Sequence, residues 1–109
     1  MSQSQSANNI FKAIADPTRR EIFYLLVAAS TALSINSIAD SFAHSRQAIT
    51  KHIEVLSNAG LVQIEKKGRE KYCFPNPKPL KEVHDWLSTY KRFWDSSLDM
   101  LENFLGSIK

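Results

Sequence analysis

Apolar positions along this chain recur every three or four residues, then every second residue, then every three or four again. The first seven residues are polar and Ser/Gln-rich and read as a flexible tail. Asn8 or Asn9 can cap a short helix carrying Ile10, Phe11 and Ile14. Asp16-Pro17 marks a restart, with Asp16 as cap and Pro17 at the first helical position, where its missing N–H costs nothing. From there to about Ala29, Ile22, Leu25, Leu26 and Ala29 form a core stripe widened by Phe23 and Tyr24. Ser30-Thr31-Ala32-Leu33 reads as a connector. Ser34 then caps a third helix of about 35–42, with Ile35, Ile38, Ala39 and Phe42 inward.

After the short turn Ala43-His44, the stretch from Ser45 to Gly60 has both ends of a helix marked. Ser45 supplies the cap, and Gly60 the left-handed exit. Ala48, Ile49, Ile53 and Leu56 make one buried face. Two helices joined by so short a turn predict a helix-turn-helix over about 35–59. Beyond Gly60 the period becomes two, over 61–65 and 70–74, with Gly68 at the bend. This predicts a β-hairpin over about 61–74. Pro75, Pro77 and Pro79 then stop the strand. Leu80, Val83, Leu87, Tyr90, Trp94, Leu98, Leu101 and Leu105 step by threes and fours through a last helix of about 79–105, ended by Gly106. Trp86, Phe93, Met100 and Phe104 thicken its stripe. That is more apolar surface than a small domain can cover. It predicts an isologous homodimer built from Ile10, Phe11, Ile14, Leu80, Val83, Leu87, Tyr90, Trp94, Leu98 and Leu101, with a helix folded back on its own domain as the other arrangement. The fold class is therefore mainly α with a small β-hairpin, in one domain over 8–105.

Charge adds a location. The net charge is +3 over 109 residues. Residues 1–43 and 76–109 are each balanced, while 44–75 hold six basic side chains against three acidic. The whole excess thus surrounds the 45–59 helix and the hairpin, as expected of a nucleic-acid surface. The exposed side of that helix carries Arg46, Gln47, Thr50, Lys51 and Glu54 in place of plain Glu/Lys alternation. Arg46 and Gln47 are each able to make two hydrogen bonds to one base edge. Ser45, Thr50 and Lys51 suit phosphates, and Lys66, Lys67 and Arg69 at the hairpin tip suit the backbone. His52 either supports the helix or reaches a phosphate. Arg19 and Arg20, poorly placed in a helix's first turn, require partners: a structural salt bridge or a phosphate.

Other chemistries find little. His44, His52 and His84 are scattered, and no nucleophile elbow, phosphate-binding glycine loop or HExxH motif occurs, so no enzyme is expected. One cysteine, Cys73, excludes an intramolecular disulfide and suits a reducing cytoplasm. No apolar run approaches the ~20 residues that span a bilayer, and no signal-peptide pattern opens the chain.

The order helix, helix, helix-turn-helix, hairpin, long terminal helix resembles the ArsR/SmtB-type winged helix-turn-helix repressors. The residues that carry the likeness are Phe11-Lys-Ala-Ile-Ala-Asp-Pro-Thr-Arg-Arg-Glu-Ile22, Ser45-Arg-Gln-Ala-Ile-Thr-Lys-His-Ile-Glu-Val-Leu56, Ala59-Gly60-Leu61-Val62 and Gly68-Arg-Glu-Lys-Tyr72. The resemblance implies a dimeric repressor on a palindromic operator, with double-stranded DNA and itself as partners. The family's metal chemistry does not carry over. Ser34 and Asn36 stand where its thiolate ligands would lie, and Glu82, His84 and Asp85 have no later histidine to complete a terminal-helix site. No metal or other cofactor is expected. Two alternatives stay open: a winged-helix protein-interaction module, and a repressor switched by an unidentified small-molecule effector.

Overall fold

The computed structural model describes residues 2–108. The elements are α1 (Ser2–Ala15), α2 (Pro17–Ala29), β1 (Leu33–Ser34), α3 (Ile35–Asp40), α4 (Arg46–Asn58), β2 (Val62–Lys67), β3 (Glu70–Pro75) and α5 (Leu80–Ile108). Three of the expected caps act, while Asn8 and Asn9 lie inside α1 instead of capping it. Asp16 accepts from the Arg19 N–H at 3.0 Å, Ser34 from the Ser37 N–H at 3.1 Å and Ser45 from the Ala48 N–H at 3.1 Å. Gly60, at φ +80°, closes α4. Around it the Leu61 N–H reaches Leu56 O and the Gly60 N–H reaches Ser57 O, both at 2.9 Å, which satisfies two otherwise orphaned carbonyls.

Several boundaries differ from expectation. The α3 helix ends at Asp40 rather than near 42, and β3 includes Pro75 at its last position. The α1 helix begins at Ser2, ahead of the start expected at Asn8 or Asn9; no Pro or Gly interrupts this stretch, and Gln and Ala favour helix. At the other end α5 runs through Gly106 to Ile108, because a glycine with no left-handed turn weakens a helix without ending it. The connector before α3 contains β1, which pairs with β3 through Leu33↔Cys73 and Ser34↔Tyr72. The hairpin therefore becomes a three-stranded antiparallel sheet of order β1-β3-β2. Gly68-Arg69 forms the two-residue turn between β2 and β3, with Gly68 at φ +68°, a backbone state for which glycine is suited.

The core draws from six elements and the exit of α4: Ile10 and Ala13 of α1, Ile22 and Leu26 of α2, Ile35 and Ile38 of α3, Ile49, Ile53 and Leu56 of α4, then Leu61, Val62 and Cys73. Fully burying one such aliphatic side chain contributes about 1.5–3 kcal/mol, so three from α4 fix that helix firmly on one face. Tyr24, expected to widen the α2 stripe, is 74% exposed, because the packed face of α2 is centred on Ile22 and Leu26. Only the first turns of α5 lie on the domain. Leu80 and Val83 pack against the core, Phe11 meets Trp86 edge-on at 5.4 Å, and Trp86 meets Tyr90 at 5.1 Å. The rest projects outward, which gives the chain its 64 Å long axis.

Candidate nucleic-acid interface

With Ile49, Ile53 and Leu56 locked inward, α4 turns Arg46, Gln47, Lys51 and Glu54 to solvent. The Ser45 hydroxyl is already accepting from Ala48, which leaves its proton free to donate outward. Thr50 differs from expectation: its hydroxyl donates to Arg46 O at 2.9 Å and is half-buried, so its proton is spent within the helix. Lys66, Lys67, Gly68 and Arg69 are all exposed at the hairpin tip. The wing thus carries its basic end beyond the core on the side where α4 begins. There Arg46 and Thr50 share a cleft with Ser34, Ile35 and Asn36 from the start of α3, and with Arg69, Glu70 and Lys71 from the wing. Asn36 and Lys71 were absent from the residues expected to bind. The register of a hairpin turning at Gly68-Arg69, which sets Lys66 opposite Lys71, would have flagged the second.

His52 and Arg19 belong together. The His52 ring is half-buried, with Nδ1 3.3 Å from Arg19 Nη1 and 3.9 Å from Asp16 Oδ2. His44, in the turn before α4, stands edge-on at 6.5 Å and meets the Thr18 hydroxyl at 3.4 Å. Arg19 also donates Nε to Ala13 O at 2.7 Å and Nη2 to Lys12 O at 2.8 Å, while Arg20 donates Nη1 to Ile14 O at 2.7 Å. The partners of these arginines are therefore the last carbonyls of α1 rather than carboxylates. A cation at a helix C-terminus is favourable, which resolves their awkward place in the first turn of α2. Asp16 stays below its ordinary carboxylate pKa, because the Arg19 backbone N–H bonds its charged form. His52 thus joins α4 to the α1–α2 corner.

Of the residues expected at a dimer interface, the structure divides the set. Ile10 is fully buried in this chain's own core, because its α1 face meets the other helices. Ile14, Leu80 and Val83 are partly buried there. Leu87, Tyr90, Trp94, Leu98 and Leu101 stay exposed, at 38–59%. Cys73 is buried on β3, and burial pushes its thiol up to about 11. His84 and Asp85 are exposed on α5, 3.5 Å apart. Among the described residues, no group of three or more His, Cys, Asp or Glu is placed to hold a metal ion, and no helix is long and apolar enough to cross a membrane.

A helix-turn-helix followed by a hairpin, with a basic rim beside an exposed polar helix face, defines a winged helix-turn-helix transcriptional regulator. The sequence agrees. Residues 14–65 match a helix-turn-helix domain family. The chain is 33% identical over 91 residues to the transcriptional repressor SdpR of Bacillus subtilis, across 84% of this chain and 99% of that protein. It is 39% identical over 79 residues to YuzN of Bacillus subtilis, an uncharacterized HTH-type transcriptional regulator, across 68% of this chain and 86% of that one. An ArsR-like transcriptional regulator from Rhodococcus sp. RHA1 superposes with a TM-score of 0.71 at 30% identity, over 95% of this chain and 96% of the other. The chain belongs to the ArsR family of winged helix-turn-helix transcriptional regulators, and it is not an enzyme.

Proposed function

We propose that this protein is a homodimeric repressor that reads a palindromic operator with α4 and holds the flanking backbone with its wing. The observation that carries the reading is the α4 face. Three buried aliphatic residues fix it, and it presents Gln47 and Lys51 beside a basic hairpin tip. Gln47 is the residue best suited to a base edge, since its amide both donates and accepts, worth ~1–3 kcal/mol of discrimination. Lys51, Lys66, Lys67 and Ser45 set register on phosphates. The exposed apolar residues of α5 supply the two-fold contact, which brings two α4 helices to successive major grooves ~34 Å apart. Repression follows from occupying promoter DNA in the cytoplasm. With Ser34 and Asn36 in place of soft ligands, no metal response is assigned.

Fluorescence anisotropy on DNA from this gene's own upstream region, against scrambled duplex and across a salt series, tests the reading. Upstream DNA bound at least ~10³-fold more tightly supports it. Gln47→Ala then lowers that preference while leaving scrambled DNA almost unaffected. Weak, equal binding to both duplexes by the unaltered protein would defeat the operator assignment, and a stable complex with another protein would favour an interaction module.

A further inference from the structure

We propose that the cleft between the start of α4 and the wing seats one DNA backbone phosphate, shared by Arg46, Arg69 and Lys71 with help from the Asn36 amide. This rests on the DNA-binding reading above and assigns a site within it. It also moves Arg46 from the base edge, where the sequence alone pointed, to the backbone.

Residues directly paired across β2 and β3 share a face of the sheet. Val62, Ile64 and Lys66 pair with Pro75, Cys73 and Lys71, so these six lie on one face. Val62 and Cys73 make it the face that covers the core. Past the end of the core, the same face carries Lys66 opposite Lys71, and like charges placed so are destabilising unless an anion joins them. Among the described residues, no carboxylate forms a salt bridge with Lys66, Lys71, Arg46 or Arg69. Glu70 lines the same cleft, but its Oε2 accepts from the Tyr72 hydroxyl at 3.0 Å. The cleft therefore gathers three cations from α4 and the wing against one carboxylate, which leaves positive charge in excess.

Its size and remaining lining suit a phosphate. The volume is about 170 Å³, room for several waters at ~30 Å³ each. The Asn36 side-chain amide makes no hydrogen bond among the described residues and supplies neutral donors. Thr50 is spent on its own helix, donating to Arg46 O, while Ser34 accepts from the Ser37 N–H and keeps its hydroxyl proton to donate. Two guanidinium forks and an ammonium around a small polar hollow are a donor set that phosphodiester oxygens accept. Because Arg46 is the first residue of α4 and Gln47 the second, the same phosphate would fix where Gln47 meets the bases.

The test is the salt dependence of DNA binding, by anisotropy on upstream and scrambled duplexes. The variants are the triple Arg46→Gln/Arg69→Gln/Lys71→Gln and, as control, Lys81→Gln on α5, with thermal melts to confirm folding. One shared phosphate per protomer predicts that the triple variant, binding as a dimer, loses about two from the log–log salt slope, and that affinity falls roughly tenfold or more on both duplexes. Lys81→Gln matches the unaltered protein. A triple variant whose slope is unchanged, or falls by about five as six separate contacts per dimer require, overturns the shared seat while leaving the regulator reading intact. Unaltered protein that binds neither duplex removes the regulator reading, and the seat with it.

Discussion

Arg19→Met replaces the guanidinium with an apolar side chain and asks whether it serves the fold or the DNA. The Nε bond to Ala13 O at 2.7 Å is part-buried, and a charge-assisted bond there is worth about 1.5 kcal/mol. The bond to Lys12 O is exposed and the contact with His52 is longer, so each adds about 0.5 kcal/mol. The variant should therefore lose about 2.5 kcal/mol, or about 10 °C in Tm at ~4 °C per kcal/mol for a domain near this size. Urea denaturation followed by tryptophan fluorescence, at one fixed protein concentration because dimerisation links to stability, measures it. Arg20→Met, whose guanidinium is exposed, should lose under about 1 kcal/mol. On DNA, Arg19→Met should keep the salt slope of the unaltered protein. A stability loss below about 1 kcal/mol together with a slope reduced by about two, one contact per protomer, would refute the reasoning, since that pair of results belongs to a phosphate ligand.

Two further expectations concern α5 and β3. Leu98 is 59% exposed within one chain, so Leu98→Glu should leave the monomer fold intact while placing a charge in the proposed two-fold contact. Sedimentation equilibrium should then read 12.4 kDa in place of twice that mass, and an unaltered dimer would exclude Leu98 from the interface. Cys73 is raised to about 11 by burial, so at pH 8 only about one part in a thousand is thiolate even where reagent can reach it. Its pKa is raised above the unfolded value near 8.5, so this group's stabilisation is whole below pH ~8.5 and is lost as pH rises towards 11. Iodoacetamide at pH 8 should label it only at the rate of global unfolding; rapid labelling of folded protein would show an open β3.

Much of this protein was legible in the sequence, because local rules decided it. Ser45, Ser34 and Asp16 could be placed as caps, since a cap needs only its own next three residues. The inward set Ile49, Ile53 and Leu56 followed from helical spacing, and Gly60 and Gly68 from the backbone angles their turns require. The family likeness lay in the same stretches. What stayed hidden depends on which elements meet. β1 is two residues long, too short for a period, and exists only because β3 lies beside it. The partners of Arg19 and Arg20 are backbone carbonyls five to seven residues away, which no side-chain pattern encodes. Ile10 and Leu98 are equally apolar and both suited an interface, yet one is sealed in the core and the other left on a projecting helix. The sequence specified which residues are apolar, capped or charged; packing alone decided which faces were already covered, and so where the cations of α4 and the wing converge around Asn36.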